Sequence, residues 1–193
     1  VHLGDRLVIA FAVAVHPADR LVVGADRVGP IALRHESGIF ERQAAAPREM
    51  GLVSPFGARQ GAGEQPFGDA PCEAWRVAGA VASGRDGDIA WSSDGMLSFG
   101  AIEVDERLHA CDADPTGIIG ASAHAYARML GFIAASGTPH VLRVWNYLDA
   151  ITGGHGDQAR YRQFCVGRAR GLGIVDETRL PAATAIGRCD AAR

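Results

Sequence analysis

The strongest constraint on the fold of this chain is a change of apolar periodicity near its middle. Up to residue 104 the apolar residues alternate in short runs, which is typical of β-strands. Beyond it, four apolar residues recur at the spacing of one helical face: Tyr126, Met129, Leu130 and Ile133. The pattern predicts a helix over residues 116–136, and Gly137 followed by Pro139 is a typical helix end.

A second helix and two more strands complete the predicted C-terminal part. Residues 141–148 alternate as a strand, and one of its faces should carry Leu142, Val144, Asn146 and Leu148. The second helix, over residues 158–171, has Asp157 as its expected N-cap. Its apolar stripe is made of Tyr161, Phe164, Cys165, Ala169 and Leu172. With a last strand over 182–186, this order predicts an α+β fold, a mixed β-sheet with two helices packed on one face.

The N-terminal part is less regular. Two short apolar runs, 7–15 and 21–24, are predicted as a strand hairpin. Residues 29–72 are rich in Pro and Gly and are predicted as a long loop with one short strand near 33–40. Strands over 75–82, 89–93 and 96–104 follow as a β-meander, with Asp94-Gly95 as a hairpin turn. We therefore divide the chain into an N-terminal region of strands and loop, 1–74, and a domain over 75–193.

Composition excludes several classes of protein. The net charge of -3 creates no field that attracts nucleic acid, and the apolar run at 7–15 is too short to span a membrane. The four cysteines form no CxxC pair, so we expect free thiols, no metal site and a cytoplasmic protein. All 19 basic residues are Arg, so any bound anion must be held by Arg or by backbone N–H groups. The chain begins with Val1, and we expect it to start inside a longer reading frame.

Three segments carry a family resemblance. They are Leu142–Leu148 (LRVWNYL), Arg160–Arg168 (RYRQFCVGR) and Leu180–Gly187 (LPAATAIG). The helix–strand–helix–strand layout resembles the RidA (YjgF) fold, which is also the chorismate-mutase-like fold, and the three segments resemble the chorismatase family. The resemblance covers residues 120–187 best, where it corresponds to the first of the two RidA-like halves of a chorismatase.

The resemblance implies a function. Chorismatases hydrolyse chorismate to pyruvate and a ring acid, either a dihydroxycyclohexadiene carboxylate or a hydroxybenzoate, as starter units for secondary metabolites such as polyketides. They need no cofactor, and their general acid is a Glu of the second half. Glu177 does not match that residue. The resemblance thus leaves the catalytic residue unassigned, and we expect a missing C-terminal half or a homo-oligomer.

Five residues of the resembling segments are predicted to bind the substrate: Asn146, Tyr161, Arg162, Cys165 and Arg168. An Arg fork holds a carboxylate by two parallel hydrogen bonds, and chorismate carries two carboxylates. Arg162 and Arg168 are six residues apart and do not share a helical face, so one can face a cleft while the other is solvated. The alternative roles are a core amide for Asn146, a core aromatic ring for Tyr161 and surface charges for the arginines.

Two other functions remain open. A stand-alone RidA-like hydrolase of enamines or imines usually holds its substrate with an Arg in the last strand, where this chain has Ala183. A non-catalytic half-domain would bind a metabolite or a partner chain. The acidic residues between Glu103 and Asp114 are predicted to lie on a solvated edge.

Overall fold

The computed structural model describes residues 6–16, 80–174, 176 and 180–188, together with the strand assignments of five segments between residues 21 and 77. The strands, in chain order, are β1 (Arg6–Ala14), β2 (Leu21–Gly24), β3 (Ala32–His35), β4 (Arg48–Ser54), β5 (Gly57–Arg59), β6 (Glu73–Val77), β7 (Ala82–Asp86), β8 (Ile89–Ser93), β9 (Leu97–Asp105), β10 (His140–Asp149) and β11 (Ala182–Arg188). The helices are α1 (Ile118–Ser136) and α2 (Arg160–Leu172).

A six-stranded mixed sheet organises the part of the chain that the structure describes in full. Its strand order is β11–β10–β1–β9–β8–β7, and only β10 and β11 run parallel. The second and third strands of the predicted meander are confirmed as β8 and β9, and the hairpin at Asp94-Gly95 is confirmed as well. The strand that pairs with β8 on its other side is β7, which begins where the predicted first strand ends. At that turn the Asp94 carboxylate accepts hydrogen bonds from the backbone N–H groups of Met96 and Leu97.

β1 lies between β9 and β10 and is buried from Leu7 to Ala14. Its continuous apolar run is the pattern of a strand that is covered on both faces. This strand comes from the first predicted segment, 1–74, yet it lies in the sheet of the second. The predicted division at residue 74 stays a prediction.

A second sheet has the order β2–β3–β6–β4–β5. The predicted hairpin of the first two strands is therefore wrong, because β1 and β2 belong to different sheets. The predicted long loop over 29–72 contains three strands, and the predicted strand over 75–82 is divided between β6 and β7. Local Pro and Gly content indicated loop here, whereas strand pairing between distant segments decided the outcome.

Both helices pack on one face of the six-stranded sheet, as predicted. α1 begins at the buried carboxylate of Asp114, which accepts hydrogen bonds from the backbone N–H groups of Gly117, Ile119 and Gly120. It ends at Gly137, whose φ of 72° is the left-handed conformation of a helix C-cap. By length and composition α1 could cross a membrane, a test that core helices also pass, and here it packs against the sheet and α2.

α2 crosses α1 closely at Gly167, where a Cβ atom would collide with the carbonyl oxygen of Ile119 and the side chain of Ser122. Only glycine allows this approach. The predicted N-cap of α2 is wrong: Asp157 lies in a short 3-10 turn, and the cap position is taken by Ala159. The expected apolar stripe is partly right, because Phe164 is buried, whereas Tyr161 is 46% exposed.

The two faces of the sheet carry different side chains. The helix-covered face is large and aliphatic, with Leu7, Ile9, Phe11 and Val13 of β1 against Tyr126, Met129 and Phe164 of the helices. The opposite face combines small and aromatic residues, namely Ala10, Ala12, Ala14, Phe99, Trp145 and Tyr147. We call this second surface the helix-free face.

A bulge in β10 changes one predicted face. Ala12 pairs with Arg143 and Val13 with Val141, so Leu142 is the extra residue. Leu142 consequently packs with the helix-free face, whereas Val144 and Leu148 contact the helices as predicted. Of the cysteines, Cys111 and Cys165 are free thiols, and Cys72 and Cys189 lie outside the described residues, as does Glu177.

Candidate functional site

A chain of hydrogen bonds connects α1 to the two parallel strands. The Tyr126 hydroxyl donates to the Asn146 side-chain oxygen at 2.7 Å, and the Asn146 amide donates to the backbone oxygen of Thr184 at 3.0 Å. Tyr126 and Asn146 are both almost fully buried. The sheet and α1 thus hold the phenol in one orientation, because each polar atom in the chain has a partner.

Arg168 of α2 lies over this phenol, with its guanidinium carbon 5.6 Å from the centre of the Tyr126 ring. Its Nε is buried and has no hydrogen-bond partner among the described residues, and no carboxylate of these residues pairs with it. Burial raises the pKa of Tyr126 to about 12, although the nearby Arg168 charge acts in the opposite direction. The result is a neutral phenol beneath a cation for which the described residues provide no counter-charge.

Cys165 and Tyr161 lie on the same side of α2. Cys165 is half-buried and packs against the core, and the Tyr161 ring stacks on Phe164 with 6.1 Å between the ring centres. The charge that Cys165 carries when ionised, together with its hydrogen bond, raises the pKa of Tyr161. Arg168, Cys165 and Tyr161 therefore form one surface beside Tyr126, which we call the Arg168 cluster.

The structure brings four of the five predicted site residues together. Tyr161, Cys165 and Arg168 belong to the Arg168 cluster, and Asn146 joins it through Tyr126. Arg162 is separate: its side chain is 65% exposed and pairs with Asp157 at 3.0 Å. The helical spacing had placed the two arginines on different faces, and the structure does so. The contacts of all five residues with a substrate stay predictions.

Tyr126 was missed as a site residue. Its position in the apolar stripe of α1 indicated a core ring, and only the fold shows that its hydroxyl meets Asn146. A tyrosine in an otherwise aliphatic stripe is the signal that could have raised the question, because a buried phenol needs a hydrogen-bond partner.

Two carboxylates that were predicted on a solvated edge are buried. Glu106 is fully buried, and the Arg160 guanidinium donates to both of its oxygens at 2.7 Å. Arg160 also donates from Nε to the backbone oxygen of Asp149. Asp114 caps α1, as described above. The prediction failed for both because the partners, an arginine 54 residues away and a helix N-terminus, only become neighbours in the fold.

The arrangement suits the binding of an organic anion rather than a metal. Among the described residues, no group of three or more His, Cys, Asp or Glu side chains could hold a metal ion. Arg168 offers planar N–H donors next to an aromatic ring, which is the environment that binds a carboxylate on an unsaturated ring.

Comparison with known proteins gives the family. The model of the family described as "Chorismatase FkbO/Hyg5-like, N-terminal" matches residues 73–192. Two curated proteins named Chorismatase are similar to the chain. The one from Streptomyces hygroscopicus is 35% identical over 118 residues, which are 60% of this chain and 32% of the relative. The one from Streptomyces rapamycinicus is 33% identical over 118 residues, which are 60% of this chain and 33% of the relative. The match thus spans about a third of each relative. No solved structure matches.

Proposed function

Because the chain belongs to the chorismatase FkbO/Hyg5-like family, we propose that it forms the N-terminal part of an enzyme that hydrolyses chorismate. The products would be pyruvate and a ring acid, either a dihydroxycyclohexadiene carboxylate or a hydroxybenzoate, used as a starter unit in secondary metabolism. The observation that carries the proposal is the Arg168 cluster, which lies inside the matched segment. Its arginine is partly buried over the Tyr126 ring and has no carboxylate partner among the described residues.

The chemistry explains what such a cluster would do. Cleavage of the enol ether protonates the methylene carbon, and water then adds to the oxocarbenium-like centre. Both steps need the dianionic substrate to be held in one orientation. We propose that Arg168 binds one carboxylate, with Cys165 and Tyr161 beside the ring and Asn146 positioning Tyr126. Arg162 would act only at the outer end of the site, because it points to solvent.

The general acid is proposed to come from residues outside those described. It must reach the substrate carbon, whereas the buried carboxylates of the described residues contact other groups. Glu106 is enclosed by Arg160, Asp114 by the N-terminus of α1, and Asp149 contacts the backbone N–H of Arg6. The relatives are about three times as long as the matched segment, which supports a contribution from further sequence or from a second copy. We propose a RidA-like fold for the matched segment and a cytoplasmic location.

The test is release of pyruvate from chorismate by the full-length protein, followed with lactate dehydrogenase and NADH, with the ring acid identified by chromatography. Arg168→Met should lower kcat/KM by about 10- to 100-fold, the value of one charge-assisted carboxylate pair. Arg170→Met removes the same charge from an exposed position of the same helix and should leave kcat/KM within about twofold.

Other outcomes would replace the proposal. Chorismate binding without pyruvate release would indicate a non-catalytic metabolite-binding half. Turnover of an enamine or imine instead of chorismate would indicate a RidA-type hydrolase, which the alanine at position 183 disfavours. If the full-length protein neither binds chorismate nor converts it, the proposal is refuted.

A further inference from the structure

A second arginine for which the described residues provide no counter-charge lies on the opposite side of the sheet. The Arg143 guanidinium carbon lies 5.2 Å from the centre of the Trp145 ring, which belongs to the helix-free face. One terminal nitrogen donates to the Thr184 hydroxyl at 3.3 Å. The Nε of Arg143 is buried and has no hydrogen-bond partner within the described ranges.

The neighbours of Arg143 on the adjacent strands have small side chains. Its register partners are Ala12 on β1 and Ala182 on the edge strand β11. Ala182 and Ala183 are exposed, and Arg143 itself is partly exposed. In the described part of the chain no Asp or Glu pairs with Arg143, so its only polar partner there is the weak contact with Thr184.

This environment fixes the guanidinium without neutralising it. The position over the Trp145 ring and the contact with Thr184 restrict its rotation, so a ligand would cause little additional loss of side-chain entropy on binding. A partly desolvated cation is unfavourable until an anion meets it. The planar guanidinium matches a carboxylate better than a spherical ion, because two of its N–H groups can donate parallel hydrogen bonds.

The site is separate from the Arg168 cluster. Arg168 belongs to the helix-covered face, whereas Arg143 stacks on Trp145 of the helix-free face, and the sheet backbone lies between them. Among the hydrogen bonds of the described residues, Thr184 connects the two sides, because its backbone oxygen accepts from Asn146 and its hydroxyl accepts from Arg143. One small molecule therefore cannot contact both arginines.

We propose that Arg143 is a second carboxylate-binding site, open at the edge of the sheet and positioned by Trp145 and Thr184. Its ligand is a small organic carboxylate with an unsaturated or aromatic ring, which can lie along the exposed alanines of β11. The inference rests on the proposed function only for the choice of chorismate and its products as natural candidates. Carboxylate binding itself needs no turnover.

The experiment is a titration of the ¹⁵N-labelled full-length protein with benzoate, observed through the arginine Nε–H signals. The Arg143 signal is identified by its loss in Arg143→Lys. Benzoate should move this signal in a saturable manner, whereas benzamide, which has the same ring and no charge, should not. Arg143→Lys keeps the charge and loses the fork. Because this variant also lacks the reporting Nε–H, its benzoate affinity is followed through the indole N–H signal of the adjacent Trp145 and should be about 10-fold weaker.

Further variants and ligands complete the test. Thr184→Val keeps Arg143 and should weaken the same titration by about threefold, so the result does not depend on Arg143→Lys folding well. Arg170→Met should leave it unchanged. Titrations with chorismate and with pyruvate distinguish substrate from product as the natural ligand. Equal shifts with benzoate and benzamide, or no shift with either, would overturn the proposal. Pyruvate release by the wild-type protein is measured separately, so failure of this site and failure of the proposed function are distinguishable.

Discussion

The two ends of α2 carry arginines in opposite situations. At the N-terminal end, Arg160 is partly buried and donates to both oxygens of Glu106 and to a backbone carbonyl. At the C-terminal end, Arg168 stacks on Tyr126 and keeps a buried Nε for which the described residues provide no acceptor. The same residue type therefore has a carboxylate partner at one end and none among the described residues at the other.

This difference separates structural from functional charge. The Arg160–Glu106 pair joins the 3-10 turn after β9 to the start of α2, and both oxygens of Glu106 accept from Arg160. Arg168 does not need its charge to hold the helices together, because Phe164 and the close approach at Gly167 already do so. We expect mutations at the first end to reduce stability and mutations at the second end to reduce binding.

The largest effect is expected from Glu106→Gln. The substitution leaves the buried Arg160 charge without its carboxylate, which typically costs about 3–5 kcal/mol of unfolding free energy. Chemical denaturation measures the change. Glu103→Gln is the matched control, because that carboxylate pairs with Arg6 on the surface and its loss should cost less than about 1 kcal/mol. Equal losses in the two variants would show that the buried pair is not a structural one.

The next effect concerns the pH dependence that Tyr126 contributes. Its pKa of about 12 lies above the value of about 10 in the unfolded chain, so between these pH values the unfolded state loses the proton first. Stability should therefore fall as pH rises from 10 to 12, by about 2–3 kcal/mol in total. Tyr126→Phe should lack this loss of stability between pH 10 and 12. In a tyrosinate absorbance titration, the variant should show one fewer phenol with a raised pKa than the wild type. An unchanged pH profile in Tyr126→Phe would contradict the burial assigned to the hydroxyl.

The contrast between these elements also shows what the sequence could predict. Both helices, the second and third strands of the meander and the strand between the helices follow from local periodicity, and the structure confirms them. The separation of Arg162 from Arg168 follows from helical geometry alone. The Glu106–Arg160 pair and the Tyr126–Asn146 bond join residues 54 and 20 positions apart, and no local pattern indicates them. The bulge at Leu142 and the second sheet depend on strand pairing in the same way.

Two glycine-to-alanine substitutions should change stability by smaller amounts and in opposite directions. They test the close α1–α2 packing, which holds the helices together without the charge of Arg168. Gly167→Ala should destabilise the protein by about 1–3 kcal/mol, because the added methyl group meets the Ile119 carbonyl and forces α2 away from α1. Gly131→Ala lies in α1, where nothing stands within 4 Å of the new methyl group, and should stabilise by about 0.5–1 kcal/mol. Thermal denaturation of both variants measures the difference. A neutral Gly167→Ala would mean that the helices are not in tight contact there.

Arg168→Met should have the smallest effect on stability, although its effect on chorismate turnover should be large. Arg168→Met removes only the interaction with the Tyr126 ring, worth about 0.5–1 kcal/mol, and its methylene groups still cover the phenol. Arg160→Met, by comparison, should cost several-fold more because it strands a buried carboxylate. If Arg168→Met lowers chorismate turnover while its denaturation midpoint stays near that of the wild type, the two ends of α2 have the separate roles proposed. If it unfolds as readily as Arg160→Met, Arg168 is structural, and the anion must be held by other residues.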